Sequence, residues 1–214
     1  MYVDLGEKII IPFRNKKLYV KNVYFKERDE RFSSLMIDNS FILEGTSVEF
    51  RANPQTSLDK MSNIGRYIDR MEQRGYCFNI PTFDDYEEIE RIIKDSGILK
   101  DYHIKFRTND EKRKLPNGTY MCIKKDDEIV AGSIGDIENG VGRLEDVAIK
   151  DPYKMKGLAP IITYNRMKWM VEKNVQHATG WILMNNDASL SYHIHLGDKL
   201  KNKYCDEWIK ENGR

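Results

Sequence analysis

The 214-residue sequence is short of cysteine, of proline and of long apolar runs, and it has no surplus of either charge. Each shortage excludes something. The three cysteines, Cys77, Cys122 and Cys205, are odd in number, far apart and without a C-x-x-C pair, which fits neither a disulfide framework nor a zinc site. They read as three reduced thiols in or near a core, because Cys122 falls in an apolar alternation and Cys77 stands between aromatics, where a small hydrophobe belongs. No apolar stretch approaches the roughly 20 residues of a spanning helix. The start, Met1-Tyr-Val-Asp-Leu-Gly-Glu-Lys8, lacks a basic segment followed by an apolar run, so the expectation is a soluble, cytoplasmic protein with no membrane partner. With 35 basic against 34 acidic side chains the net charge is +1, and no bulk field draws the chain to nucleic acid. Any anion it binds must be held locally.

What is present has an order. Up to about Ser57, the short β-branched and aromatic runs KIIIPF, KLYVKNVYF, SSLMI, FILEG and SVEF are separated by polar spacers such as KERDER and IDNS, which predicts a small antiparallel sheet. From Ser57 the apolar positions Leu58, Met61, Ile64, Ile68 and Met71 step by three and four, the stripe of one helix with Ser57 as N-cap and Gly75 as stop. YCFNIPTF reads as a strand. Thr82-Phe-Asp-Asp85 has the form of a capping box opening a helix over DDYEEIERIIKDSG, which Gly97 ends and whose acidic residues read as a solvated face. Residues 98–117 are charged and aperiodic, a surface loop or frayed helix.

Three strands follow, with turns at Lys125-Asp126-Asp127 and Asn139-Gly140, a meander. Then come a helix on Ile161, Tyr164, Met167, Met170 and Val171, a buried strand GWILM, a short helix ASLSYHIHL stopped by Gly197, and a last strand KYCDEWI. The order predicts an α+β fold with a mixed, mainly antiparallel sheet, flanking helices and a right-handed crossover between the strand ending near Lys150 and GWILM. The change of pattern near Gly75 divides the chain into a β-rich extension with one helix, residues 1–74, and a second part, residues 75–214. There are no repeats and no low-complexity tracts.

One stretch carries chemistry: EDVAIKDPYKMKGLAP, residues 145–160, runs from a strand through a lysine-rich turn to a fresh helix end. The first N–H groups of that helix have no intrahelical partner, and its dipole adds partial positive charge. Such an end binds phosphate. Gly157 lets backbone approach a bulky anion, Lys154 and Lys156 add charge, and Pro160 lacks only an N–H the helix does not use. Taken alone, K-x-K-G is an ordinary crossover loop; its place between meander and crossover helix points to a pyrophosphate.

Here the sequence resembles the GNAT superfamily of acyl-CoA-dependent N-acyltransferases. Lys154-Met-Lys-Gly157-Leu-Ala159 is similar to the R/Q-x-x-G-x-G/A signature, with lysine in first place; LEDVAIKDPY is similar to the strand and turn before it, and MNNDASLSYHIHLGDKL to the second half of the family. The likeness covers about Tyr76 to Ile209. One more residue than usual separates Tyr192 from Gly197, and Asp198 replaces the aromatic that follows that glycine. The resemblance implies a splayed central strand pair with acetyl-CoA in the cleft. Backbone groups of Val147 to Ile149 would pair with the pantetheine, and amides of Met155, Lys156, Gly157, Leu158 and Ala159 would hold the pyrophosphate, helped by Lys154 and by Asn186 or Asn185.

It further implies that Glu145, with Asp146 second, accepts the proton of the amine, that a backbone N–H near Val147 meets the oxyanion, and that Tyr192 protonates the departing thiolate. Neighbouring strand residues face opposite ways, so only one of Glu145 and Asp146 can serve. Read on its own spacing, Tyr192 is a core aromatic with Ala188 and Leu196. His193 and His195 do not form a metal site, since residues two apart on a helix do not share a face; His193 is a reserve proton carrier. The expectation is an N-acetyltransferase acting on a primary amine of a small molecule or peptide, without metal. The alternative is a non-catalytic acyl-CoA-binding regulator. The N-terminal sheet could form a homodimer through an exposed edge, cap the acceptor cleft or complete the core.

Overall fold

The computed structural model describes residues 3–4, 8–11, 17–79, 81–82, 84–95 and 120–211; the segment 98–117 lies outside them. The protein has the expected α+β architecture, helices on a mainly antiparallel sheet. By contacts it divides into two units, residues 1–51 with 180–214, and residues 52–179, a division drawn differently from the pattern change near residue 75.

In the first unit the strand order is β1 (Val3–Asp4), β2 (Lys8–Ile11), β3 (Lys17–Phe25), β10 (Lys199–Glu211), β4 (Ile42–Ala52). Strand β10 is antiparallel to both β3 and β4, with Cys205 opposite Val23 and Ser47. Between β3 and β4 stands α1 (Glu30–Asp38), where SSLMI had read as a strand. The helix wins because Asp29 caps it, accepting from Phe32 N at 3.1 Å, and because Phe32 and Met36, four apart, bury together against Val20 and Trp208. Leu35 and Ile37, the alternating partners a strand would need, are exposed.

The second unit has the order β8 (Val141–Ile149), β7 (Glu128–Glu138), β6 (Tyr120–Lys125), β5 (Tyr76–Asn79); β9 (His177–Leu183) is divided between the two units at Gly180. The turns at Asp126-Asp127 and Asn139-Gly140 have positive φ at both central residues, the form whose twist matches a hairpin. The capping box holds: Thr82 N donates to Asp85 Oδ2 at 2.8 Å at the start of α4 (Asp85–Asp95). The helix expected from Ser57 is two, α2 (Pro54–Lys60) and α3 (Ile64–Glu72). Asn53, not Ser57, is the N-cap of α2, accepting from Thr56 N at 2.9 Å, and Pro54 follows at the position that needs no N–H. Ser62 and Asn63, poor helix formers, fall at the break.

Helix α4 covers one face of this part of the sheet through Tyr86, Ile89 and Ile93, packed on Tyr120, Cys122 and Ala148. The other face carries α3 and α5 (Leu158–Glu172), with Met71, Leu158, Ile161 and Ile162 on Ile123, Val130 and Ala131. Helix α4 sits directly on backbone at Gly132, where a Cβ would lie 2.7 Å from Ile89 Cγ2. A Gly132→Ala protein is therefore expected to lose about 1–3 kcal/mol of stability to overpacking, read as a lowered midpoint in thermal denaturation.

Candidate functional site

The carboxyl end of β8 leads through a 3-10 turn, Asp151–Tyr153, into the loop 154–157 and then α5. The helix begins at Leu158, two residues before the expected proline, so Pro160 lies in its first turn and its missing N–H is one of those the helix leaves unpaired. Gly157 is the N-cap, with φ +70° and ψ +22°, and no side chain caps the first turn. Met155 also has positive φ, 58°, and its side chain is wholly exposed. Left-handed residues in such a turn point successive N–H groups the same way, the concavity that receives anions.

The structure adds a reason for Gly157. Its missing Cβ faces a side chain: a Cβ there would lie 2.9 Å from Tyr67 Cζ and 3.1 Å from Cε1. Tyr67, on α3, donates its hydroxyl to the carbonyl oxygen of Lys156. Glycine is thus required twice, for the left-handed backbone and for the ring beside it. A cleft of about 410 Å³ adjoins the loop, lined by Tyr67, Met71, Arg74, Tyr76 and Lys125 as well as by Met155, Lys156 and Gly157.

The two loop lysines are exposed and already engaged. Lys154 Nζ is 2.6 Å from Asp151 Oδ1, and Lys156 Nζ stands 4.9 Å from the centre of the Tyr153 ring. Exposed pairs of this kind are weak, so either ammonium can turn to an anion at little cost. Lys150, at the end of β8, is tied to Glu88 at 3.0 Å and Glu128 at 2.8 Å. Burial would lower its pKa, but those two carboxylates hold it above the ordinary value. It secures the strand end from which the loop departs.

Strand β8 pairs with β7 at Val147–Ser133, Ala148–Gly132 and Ile149–Ala131, then slips before Leu144–Gly135. Two residues, Glu145 and Asp146, oppose the single Ile134, which is a β-bulge. The rule that neighbours face opposite ways, used to choose between Glu145 and Asp146, does not run through a bulge. The side chains of both lie outside the described residues.

Asn186 and Tyr192 belong to the first unit. Asn186 is the N-cap of α6 (Asp187–His195), its Oδ1 accepting from Ser189 N at 3.1 Å; Asn185 is exposed. Tyr192 is half-buried, its ring edge-on to His193 at 5.7 Å. Gly197, with φ +84°, turns the chain so that Asp198 returns beside the helix, where its Oδ2 is 2.7 Å from His193 Nδ1.

Of the cysteines, Cys122 and Cys205 are buried, but Cys77 is exposed, a correction to the expectation of three core thiols. As Cys77 lies on β5, at the edge of the strand order, its aromatic neighbours do not enclose it. Burial pushes the Cys122 thiol up to about 11. In the native protein Cys77 is expected to react with a disulfide reagent far faster than Cys122 and Cys205, the other two appearing only on unfolding. Among the described residues no group of three or more His, Cys, Asp or Glu is placed to hold a metal. No helix among them is long and apolar enough to cross a membrane.

A strand ending at an uncapped, left-handed turn into a helix is a place where an anion can be held. The family described as Acetyltransferase (GNAT) matches residues 82–197, and the chain belongs to it. Among solved structures it is similar to a GCN5-related N-acetyltransferase from Sphaerobacter thermophilus, with TM-score 0.63 and 13% identity, over 92% of this chain and 61% of that one. It is similar also to a GCN5-related N-acetyltransferase from Kribbella flavida, with TM-score 0.54 and 14% identity, over 90% and 68%. Ard1 from Thermoplasma volcanium matches with TM-score 0.51 and 13% identity, over 65% of this chain and 99% of its own. These likenesses show the fold. The chain spans 61% of the length of the Sphaerobacter protein. No curated protein matches it.

Tyr67 escaped sequence reasoning because it precedes the matched segment and touches a residue 89 positions away. His193 and Asp198 were each visible, but their pairing depends on the turn at Gly197.

Proposed function

We propose that this protein transfers an acetyl group from acetyl-CoA to a primary amine of a small molecule or peptide, by direct attack of the amine in a ternary complex. The observation that carries the reading is the uncapped start of α5 behind the left-handed Gly157, at the carboxyl end of β8, with the chain's membership in the acetyltransferase family beside it.

In this reading the amides from Met155 to Ala159 hold the pyrophosphate, assisted by Lys154 and Lys156. The backbone of Val147 to Ile149 takes the pantetheine, and Asn186 supports the cosubstrate. An N–H near Val147 stabilises the oxyanion, and Tyr192 supplies the thiolate's proton. A proton acceptor is also needed. Glu145 is the candidate by resemblance, with Asp146 second. Acetyl-CoA supplies the activated acyl group; the reaction asks for no metal. The setting proposed is the cytoplasm, and the division of labour proposed is an extension over residues 1–74 and an acetyltransferase part over residues 75–214.

The test is acetyl-CoA consumption against amines, amino acids, aminoglycosides, polyamines and peptides, with CoA binding by calorimetry on the same sample. Thiol release must be corrected for Cys77. Acceptor-dependent release supports the reading; tight CoA binding without turnover on any acceptor favours a non-catalytic acyl-CoA-binding regulator; no binding removes both.

A further inference from the structure

The loop 154–157 has two sides. On one, Tyr67 donates its hydroxyl to the carbonyl oxygen of Lys156. A trans peptide sends its C=O and N–H opposite ways, so the N–H of Gly157 points away from Tyr67, and a pyrophosphate bonded to that N–H lies on the far side of the loop. On the Tyr67 side is the cleft of about 410 Å³, within the roughly 300–1,000 Å³ of small-molecule sites. The acetyl-transfer reading gives it nothing to hold. All of its lining comes from residues 52–179. Tyr67, Met71, Arg74 and Tyr76 precede residue 82, where the match to the acetyltransferase family begins, so half of the lining belongs to this chain and not to the family segment.

The charge of the cleft is one-sided. Arg74, Lys125 and Lys156 line it, and no carboxylate does. The guanidinium of Arg74 has no hydrogen bond or ion pair among the described residues, and Arg74 is exposed. Lys125 Nζ is 2.7 Å from Asp126 Oδ2, but that aspartate side chain is 75% exposed, and such a partner holds an ammonium weakly. Lys156 has the Tyr153 ring for company. Three cations gathered at one concavity draw an anion from solution. Tyr76 is buried, with its ring centre 5.6 Å from Lys125 Nζ, and its hydroxyl has no hydrogen-bond partner among the described residues.

We propose that the cleft is a second anion site, for a phosphate monoester, across the loop from the pyrophosphate position. A phosphate monoester carries about two negative charges near neutral pH, which three cations match better than they match a single carboxylate. The planar guanidinium of Arg74 offers parallel N–H groups to two phosphate oxygens. The Lys125 and Lys156 ammoniums add point charges, the Tyr76 hydroxyl adds a donor, and Tyr67 and Met71 give the body of the ligand an apolar wall. Two sources carry this chemistry: the ribose 3′-phosphate of CoA, or a separate phosphorylated small molecule. Only the first rests on the acetyl-transfer reading.

Inorganic phosphate is the first probe, titrated into nitrogen-15-labelled protein. It is expected to shift the Arg74 Nε–H and the Lys125 backbone N–H with one saturating curve. Arg74→Gln, followed at the Lys125 N–H, and Lys125→Gln, followed at the Arg74 Nε–H, are each expected to raise Kd about tenfold, the loss of one charge-assisted hydrogen bond. Arg66→Gln makes the same change of charge on the same helix at an exposed residue outside the cleft and is expected to bind as the unaltered protein does. No saturable shift at Arg74 overturns the proposal, as do unchanged affinity in both cleft variants and equal weakening in Arg66→Gln. Calorimetry with CoA and 3′-dephospho-CoA then separates the sources. If the unaltered protein prefers CoA and Arg74→Gln abolishes the preference, the phosphate is the cosubstrate's own. If Arg74→Gln weakens inorganic phosphate but leaves both affinities as they were, the cleft serves a separate molecule. A protein that binds phosphate at Arg74 but no CoA removes the acetyl-transfer reading and leaves this site standing.

Discussion

A Gly157→Val protein should bind CoA roughly a hundredfold more weakly than the unaltered one, while remaining folded. Two costs combine. The backbone at 157 has φ +70°, a conformation that costs an L-residue about 1–2 kcal/mol and a β-branched one more. The new Cβ would also press on the Tyr67 ring, 2.9 Å from Cζ, and overpacking of that kind adds about 1–3 kcal/mol. The chain relieves both by moving the loop, which disperses the N–H groups that meet the anion. About 3 kcal/mol is near a hundredfold in affinity. Calorimetric titration with CoA measures it; an unchanged Kd would remove the loop from the binding site.

The same geometry separates two reasons for the glycine. If Tyr67 matters, Gly157→Ala should be less harmful when Tyr67→Ala is also present, because the side chain that clashes has gone. A coupling of about 1 kcal/mol between the two is expected, as for residues in contact. Strict additivity would mean that only the ligand's approach, or only the backbone angle, demands glycine.

Asp206→Ala should be the most destabilising single change in the first unit. The carboxylate on β10 is fully buried. It accepts from Thr46 Oγ1 at 2.7 Å and from Arg28 Nη2 at 3.1 Å, and its Oδ2 stands 2.8 Å from Arg28 Nε, close enough for an ion pair although not aligned as a hydrogen bond. Tyr24 adds a weaker contact at 3.3 Å. Removing the carboxylate leaves the half-buried guanidinium bonded to Thr46 Oγ1 at 2.9 Å but without its counter-charge, and breaking a buried pair from one side costs about 3–5 kcal/mol. As Arg28 keeps 35% of its side chain in solvent, the lower figure applies. For a chain of this size that is a fall of about 6–12 °C in Tm. Asp206→Asn, which keeps the shape and loses the charge, should cost less, and equal losses would show that the ion pair, not the shape, is what matters.

Legibility in the sequence followed the chemistry of the backbone. The turns at Asp126-Asp127 and Asn139-Gly140 and the loop at Gly157 could be read because left-handed backbone narrows the choice of residue. The capping box at Thr82 and Asp85 could be read for a similar reason, since few side chains can fill it. Helix α1 could not, since Ser33 to Ile37 supports a period of two as well as 3.6, and only the cap at Asp29 and the company of Trp208 decide. The break between α2 and α3 was hidden because the apolar spacing runs on across Ser62 and Asn63. The bulge at Glu145 and Asp146 has no residue signature; it arises from a slip against β7. Contacts between distant positions, such as Tyr67 with Lys156, were out of reach of any local pattern.

Strand β10 pairs with both β3 and β4, so residues 17–25 and 42–51 hydrogen-bond to a strand made far later. During synthesis, at about 5–20 residues per second, β3 and β4 wait on the order of 10–30 seconds for the strand that lies between them. Over that interval they offer the edges that β10 will pair and the apolar side chains of Val20, Val48 and Phe50, buried in the folded protein, to whatever is near, the condition in which a nascent chain is exposed to aggregation.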